Sequence, residues 1–553
     1  MVTATELPAG PSPARARARA TPRAMLSAGR DLAADALRRA GSSRMDSVAY
    51  DTGFVARLVP LMGGDPLVEG ALRYLRAAQS PAGWWGSARP SGHDRVLSTL
   101  SAACGLAAAR DPADRPALER AAAWLADAMP RLAGDRQLVG SDLLIPPLVE
   151  RASEAGLGID ARASPYRGVG RVATSLYGRV FYSGHPVGHL LEVLGDRLDA
   201  PRALRRLANG PSGSVMCAPS ATAFVLERAG RADPRAVAYL RASANADGGV
   251  RHFGPYEVME AGYSLYALRH TPLFALPHAR APLRLLREAW LPGGVGFARE
   301  FPAVDLDDSA IAALVLHASG EPVAPDFLDR FLDDGYFLCY LADRRGAVAP
   351  NLHAVEALRV LGHPERDALS EVALGYLRGQ QQASGAFLDH YSLSPFYPTW
   401  HAIEALGQVD ASRAERCARF LASRQRDDGA FDDGVAPATA EGSAYALLGL
   451  AAWERAHPGE FADAIERGAG WLAAHAGDPP CAEWVAKVLY APTTMAKAAV
   501  AGALAACAMA LEPRGGLSLS PSLATPGATP PTGARRAQAP AARVAVSQQH
   551  RGT

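Results

Sequence analysis

Tyr376-Leu377-Arg378-Gly379-Gln380-Gln381-Gln382-Ala383-Ser384-Gly385-Ala386-Phe387 is the stretch on which the fold turns. An aromatic-Leu pair is followed, after three residues, by Gln381. Gly385 comes four residues later and Phe387 two later. The same register recurs at Tyr74-Leu75, Gln79, Gly83, Trp85 and at Phe420-Leu421, Gln425, Gly429, Phe431. Tyr239-Leu240 with Ala244, Gly248 and Val250 is a degenerate copy. Each copy reads as a helix end, a Gly that permits the turn, and an aromatic packed beneath it. The Gln can bond backbone groups left free at a neighbouring helix end. Such a repeat predicts a barrel of paired helices, inner ring and outer ring. Elsewhere apolar residues recur at three- and four-residue steps, as in Leu118–Leu125, Tyr263–Ala267 and His401–Leu406. Alternating runs typical of strands are scarce, so the fold class is all-α.

The copies fall in two groups, one within 48–280 and one within 281–512, which predicts two barrels. Flanking stretches differ. Residues 1–24 are rich in Ala, Pro and Arg and lack the apolar core of a secretory signal; residues 513–553 are rich in Pro, Ala, Ser, Thr and Arg. Both read as disordered tails. The chain has 553 residues with 57 Lys and Arg against 56 Asp and Glu, so no charge excess points to nucleic acid or an anionic membrane. Its cysteines, Cys104, Cys217, Cys339, Cys417, Cys481 and Cys507, form no Cys-x-x-Cys pair, which argues against structural zinc or a disulfide framework. The longest apolar stretch, Ala498–Leu511, reads as a buried helix too short to span a bilayer. These features predict a cytoplasmic protein.

Chemistry concentrates at Val304-Asp305-Leu306-Asp307-Asp308-Ser309-Ala310, between the Gly-rich turn Gly293-Gly294-Val295-Gly296-Phe297 and the apolar run Ala310–Leu316. The acids therefore sit at a turn-to-helix junction. Asp there can cap a helix, and such clusters also hold metals or face solvent. Crowded carboxylates cannot all ionise cheaply, so like charge and desolvation keep a proton on at least one. Asp307, flanked by the other two, is the natural proton carrier; Asp305 and Asp308 would orient it. Beneath an apolar cavity that proton could reach a carbon–carbon double bond, given excluded water and aromatic faces to hold the cation.

These residues resemble a known family. The acid cluster, the Gln…Gly-x-aromatic repeats and the approach Gly294-Val295-Gly296-Phe297…Phe301…Asp305 are similar to bacterial class II terpene cyclases, above all diterpene cyclases of the copalyl diphosphate synthase type. Ala49-Tyr50-Asp51-Thr52-Gly53-Phe54-Val55-Ala56 resembles the early Tyr-Asp-Thr-Ala-Trp-Val-Ala block, with Gly-Phe replacing Ala-Trp. Asn351-Leu352-His353-Ala354 resembles an Asn-x-His block, and Ser394–Ala402 resembles Ser-Pro-Tyr-Tyr-x-Thr-x-His-Ala. Glu483-Trp484-Val485-Ala486-Lys487-Val488-Leu489-Tyr490 resembles Trp-Ile-Gly-Lys-x-Leu-Tyr. The match spans about residues 30 to 510.

The resemblance implies two (α/α) barrels, termed β and γ, with the cavity between them. It places an N-terminal β-domain helix in 25–47, γ at 48–280 and β at 281–512. It implies protonation of geranylgeranyl diphosphate by Asp307, closure to a bicyclic cation, and loss of a proton with the diphosphate retained. A drimenyl-type enzyme acting on farnesyl diphosphate shares these motifs; a non-catalytic barrel scaffold would not need the acids. A class I domain needs an Asp-Asp-x-x-Asp helix. Asp333-Asp334, Asp427-Asp428 and Asp432-Asp433 lack the further acid, and the latter two pairs flank a turn and read as solvated, so no class I α domain is expected and a separate class I synthase would consume the product. Mg²⁺ is expected with the diphosphate, though no ligand set is marked. Asn351 and His353 join the catalytic candidates. Phe297, Phe396, Tyr397 and Trp400 are candidate cation-facing aromatics, or core. Lys487, in an apolar stretch, is a candidate diphosphate contact, or half of a buried salt bridge.

Overall fold

The repeat turns do in three dimensions what their spacing suggests. In the computed structural model, which describes residues 21–160, 164–166, 178–208, 210–341, 343 and 345–512, the amide of Gln381 donates to the Gly385 carbonyl (3.0 Å) and to the Arg413 carbonyl of the next outer helix (3.1 Å). Gln79 donates to Gly83 and Ala117, and Gln425 to Gly429 and Ala464, in the same way. Gly385 has φ +96°, and a Cβ there would lie 2.4 Å from the Arg416 carbonyl oxygen. Only glycine fits. The aromatic that follows is fully buried, and its N–H finds a hydroxyl on the next inner helix: Trp85 on Thr99, Phe387 on Thr399, Phe431 on Ser443. The degenerate copy keeps that last bond, from Val250 N–H to Thr52.

Around these turns the second barrel closes. Among the described residues its inner ring is Glu257–Leu268, Leu306–Ala318, Val348–Val360, Phe396–Leu406, Ala440–Ala456 and Thr493–Leu511, the last packing back on the first. Outside lie Arg280–Ala289, the 3₁₀ turn Pro325–Phe331, Arg366–Gln380, Ala411–Ser423, Ala462–His475 and Pro22–Arg39. Inner helices are buried on all sides, which is why Leu306–Ala318 is apolar all round past its first turn. The first barrel is less regular. Ala49–Ala56, Gly92–Ala109, Ser141–Glu154, the distorted 3₁₀ run Pro186–Arg197 and Pro219–Ala229 form its inner ring, again with last on first.

Three sequence expectations need correction. The barrel boundary at 280 is misplaced, because Glu257–Leu268 packs against Leu306–Ala318 and Thr493–Leu511 as an inner helix of the second barrel. No composition shift marks that crossing. The N-terminal helix starts at Pro22, capped by the Thr21 hydroxyl, rather than after 24; the rest of the predicted tails, 1–20 and 513–553, lie outside the described residues. The apolar stretch ending at Leu511 begins at Thr493, which makes it the one described helix long and apolar enough to cross a membrane; 78% of its most apolar window is buried inside the barrel.

Gly385→Ala should destabilise the fold by about 2 kcal/mol or more, through positive φ and the carbonyl collision. Gln381→Ala should cost about 1–2 kcal/mol for two carbonyls left without their donor. Urea unfolding midpoints check both.

Candidate active site

The first barrel and the inner-helix mouth of the second line a half-open cavity of about 390 Å³. His189 and Leu190 line one wall, and Phe253, Tyr263, Phe297, Phe301, Trp484 and Tyr490 supply aromatic faces. Asp305, Asp307 and Asp308 reach it from the start of Leu306–Ala318. Asp305 caps that helix, its Oδ1 accepting the Asp308 N–H at 2.8 Å. The capping reading and the cavity reading of the cluster are thus both satisfied, by different members.

Burial divides the three acids. Asp305 is 1% exposed and Asp308 7%. Desolvation first, then the neighbouring carboxylates, pushes Asp305 well above the usual range and Asp308 up to about 8. The pair therefore holds protons at neutral pH. Asp307 is the most open, its side chain 15% exposed, and it alone receives outside donors. Tyr263 O–H donates to its Oδ2 at 2.7 Å, and His353 Nδ1 lies 2.6 Å from its Oδ1. Burial, then Asp307, holds the Tyr263 phenol far above its ordinary pKa, so it remains a donor. Behind His353 stands His401, whose Nδ1 lies 2.8 Å from His353 Nε2.

The other candidates separate. Phe297 lines the cavity, 4.2 Å centroid to centroid from Phe301. Phe396 does not; it packs on Phe420 and Phe431 beneath the repeat turn. Tyr397 and Trp400 form a second layer behind Trp484 and His401. Asn351 touches no acid. Its oxygen accepts the Phe337 N–H, and its amide donates to the Phe337 and Ala347 carbonyls, each at 2.8 Å. It occupies the position that Thr99, Thr399 and Ser443 hold in the other repeats. Lys487 is fully buried on the cavity wall with its ammonium donating to Glu192, Ser220 and the His189 carbonyl. Its three N–H groups join the two barrels and leave none for a diphosphate. Asp433, expected in solvent, forms a buried ion pair with Arg89 of the first barrel. Among the described residues no group of three or more His, Cys, Asp or Glu side chains is placed to hold a metal ion.

Tyr263, Trp484, Tyr490 and His401 stood inside quoted stretches without being singled out. Their spacing on an inner helix or hairpin is that of any buried aromatic, and only ring closure aims them at Asp307. Glu441 was also missed. Burial and the neighbouring Glu483 push it up to about 8, and it accepts Trp484 Nε1–H (2.9 Å) and Tyr445 O–H (2.7 Å).

No family model matches the chain. It is 29% identical over 496 residues to a type B diterpene cyclase of Mycobacterium tuberculosis, covering 83% of this chain and 95% of the relative. It is 31% identical over 494 residues to an uncharacterised protein of Sinorhizobium fredii, covering 81% and 90%. The solved ent-copalyl diphosphate synthase of Streptomyces platensis superposes with a TM-score of 0.71 at 26% identity, covering 86% of this chain and 99% of that one.

Between pH 4.5 and 8 the folded protein holds a proton on Glu441 that the unfolded chain has released, so this group's contribution to stability falls as pH rises through that window. Glu441→Gln should therefore stabilise the protein at pH 8 by about 1–3 kcal/mol more than at pH 5. Chemical unfolding at the two pH values measures the difference.

Proposed function

The chain belongs to the bacterial class II diterpene cyclases, and from that premise we propose that it converts geranylgeranyl diphosphate to a bicyclic, copalyl-type diphosphate with Asp307 as the general acid. One observation carries the proposal. Asp307 faces an aromatic cavity between the barrels while its two oxygens take the Tyr263 O–H and a contact from His353 Nδ1. An alkene is a very weak base, so the acid that protonates it needs a strongly stabilised conjugate base. Tyr263 and His353 supply that stabilisation. Neutral Asp305 and Asp308 supply proximity without adding charge that would hold the proton back.

The proton passes from Asp307 to the terminal double bond, and the chain closes on the cation in two rings. The faces of Phe297, Phe301, Trp484 and Tyr490 stabilise the moving charge and keep water out. A base takes a proton from a carbon beside the final cation, and the C–H electron pair becomes the product's new double bond. Retention of the diphosphate is supported by the fate of the three Asp pairs. Asp333-Asp334 lies exposed in a hairpin, Asp427-Asp428 exposed in a turn, and Asp433 is spent on Arg89; none lines the cavity. Mg²⁺ is proposed only as the companion of the diphosphate. A product that keeps its diphosphate requires a second enzyme that ionises it.

Purified protein with geranylgeranyl or farnesyl diphosphate and Mg²⁺, then phosphatase and mass spectrometry, tests the reading. A bicyclic C20 alcohol, seen only after phosphatase, is the expected product. A hydrocarbon without phosphatase overturns diphosphate retention, and turnover of the farnesyl substrate alone overturns the chain length. Asp307→Asn should lower product formation by at least about 10³-fold with an unchanged melting temperature. Wild-type turnover in that variant overturns the acid assignment.

A further inference from the structure

The contacts behind Asp307 do not stop at His401. His401 Nδ1 is also 3.2 Å from the Tyr266 oxygen, with the two rings stacked at 5.0 Å. Tyr266 O–H donates to Glu356 Oε2 at 2.6 Å. Arg269 donates to the other oxygen, Oε1, and its guanidinium lies 3.4 Å from the centre of the Tyr266 ring. The series runs from the first turn of Leu306–Ala318, through the second turns of Val348–Val360 and Phe396–Leu406, to the third turns of Val348–Val360 and Glu257–Leu268 and the C-cap of the latter. It thus descends the barrel from the mouth, and Tyr266, Glu356 and His401 are all buried within it.

Each link dictates the direction of the next. Arg269 cannot accept, so in its ion pair with Arg269 Glu356 is the accepting partner, and it accepts from Tyr266 as well. The Tyr266 proton is therefore committed to Glu356, and the Tyr266 oxygen can only accept from the histidine side. His401 Nδ1 must then carry the hydrogen, which it shares between Tyr266 and His353 Nε2. His401 Nε2 is buried without a partner, and a bare lone pair there costs less than an orphaned N–H. Burial, then His353 and Arg269, holds His401 well below its ordinary pKa, so it carries one hydrogen only. His353 Nε2 is left bare, and its hydrogen sits on Nδ1, aimed at Asp307.

We propose that Glu356 and Arg269, four and five links from the acid, are positioning residues that fix the tautomer of His353 through Tyr266 and His401, so that Asp307 always meets an N–H and never a lone pair. With the opposite tautomer Asp307 would have to donate its own proton to His353 Nδ1. The proton would point away from the cavity, and the nascent carboxylate would lose one of its two stabilising donors. An imidazole held in the wrong tautomer is known to cost orders of magnitude in rate where its orientation serves the chemistry.

Glu356→Gln tests this because it preserves shape and reverses one bond. Arg269 draws the amide oxygen to itself, the amide N–H₂ faces Tyr266, and the Tyr266 hydrogen turns to His401 Nδ1. The reversal then propagates to His353. In ¹⁵N-histidine-labelled protein, with His353 identified by its loss in His353→Asn, wild type should show a protonated Nδ1 and a bare Nε2. Glu356→Gln should show the reverse, with kcat lowered by about tenfold or more and KM unchanged. Tyr266→Phe keeps the stacked ring and cuts the series; it should give a mixture of tautomers and an intermediate kcat, and it carries the test if Glu356→Gln does not fold. A wild-type His353 with hydrogen on Nε2, or variants with wild-type nitrogen signals and kcat, overturns the proposal. The kinetic arm rests on the cyclase reading above and the nitrogen arm does not. Wild type inactive on both diphosphates counts against that reading, and the nitrogen signals then decide the proposal by themselves.

Discussion

A buried N–H must find an acceptor, and the repeated turn exists to provide one. In each full copy of the repeat an outer helix ends in a glycine turn that drives an aromatic side chain under the barrel and drags its backbone with it. The N–H of that aromatic cannot reach water. It is met by Thr99, Thr399 or Ser443 on the next inner helix, and by Asn351 at the hairpin of Phe337. The Gln of each turn then joins its own glycine carbonyl to the next outer helix. Inner helix, turn and outer helix are thereby locked at a fixed angle, and repetition of that angle closes the ring.

Closure makes the chemistry affordable in terms of charge. Burial at the start of an inner helix pushes the Asp305 and Asp308 carboxyls up, while Asp307, the most open of the three, takes the Tyr263 O–H on one oxygen and meets His353 Nδ1 on the other. The first barrel completes the enclosure. It is held there by buried charge: Lys487 on Glu192, and Arg89 between Asp433 and Glu483. Such pairs add little net stability, but removing one partner strands the other in low dielectric. They act as geometric pins between the two walls of one cavity.

Much of this was legible in the chain. The repeat register implied paired helices, and the crowding of Asp305, Asp307 and Asp308 implied a retained proton. His353 was found through its block, and the structure puts it on Asp307. Three site candidates serve the scaffold. Asn351, Phe396 and Lys487 sit in stretches resembling a cyclase, yet each is spent on the scaffold: a hairpin N–H, a turn core, an inter-barrel ion pair. A local motif shows that a residue type is needed at a place and is silent on which neighbour needs it. The barrel boundary was missed for a similar reason, since Glu257–Leu268 is a helix buried along its whole length, as an inner helix of either ring could be.

By itself the sequence determined the elements and their chemistry: helices of 3.6 periodicity, glycines where no side chain fits, and three carboxylates too close to ionise together. These are properties of neighbours along the chain, within reach of a turn or two. Tertiary structure decided direction. Which acid faces the cavity, which histidine nitrogen carries hydrogen, and which of two barrels owns a helix all depend on groups far apart in sequence. Asp307 meets Tyr263 across 44 residues and His353 across 46, and Lys487 meets Glu192 across 295. Hydrogen bonds act over about 3 Å, so only closure of the rings could set them.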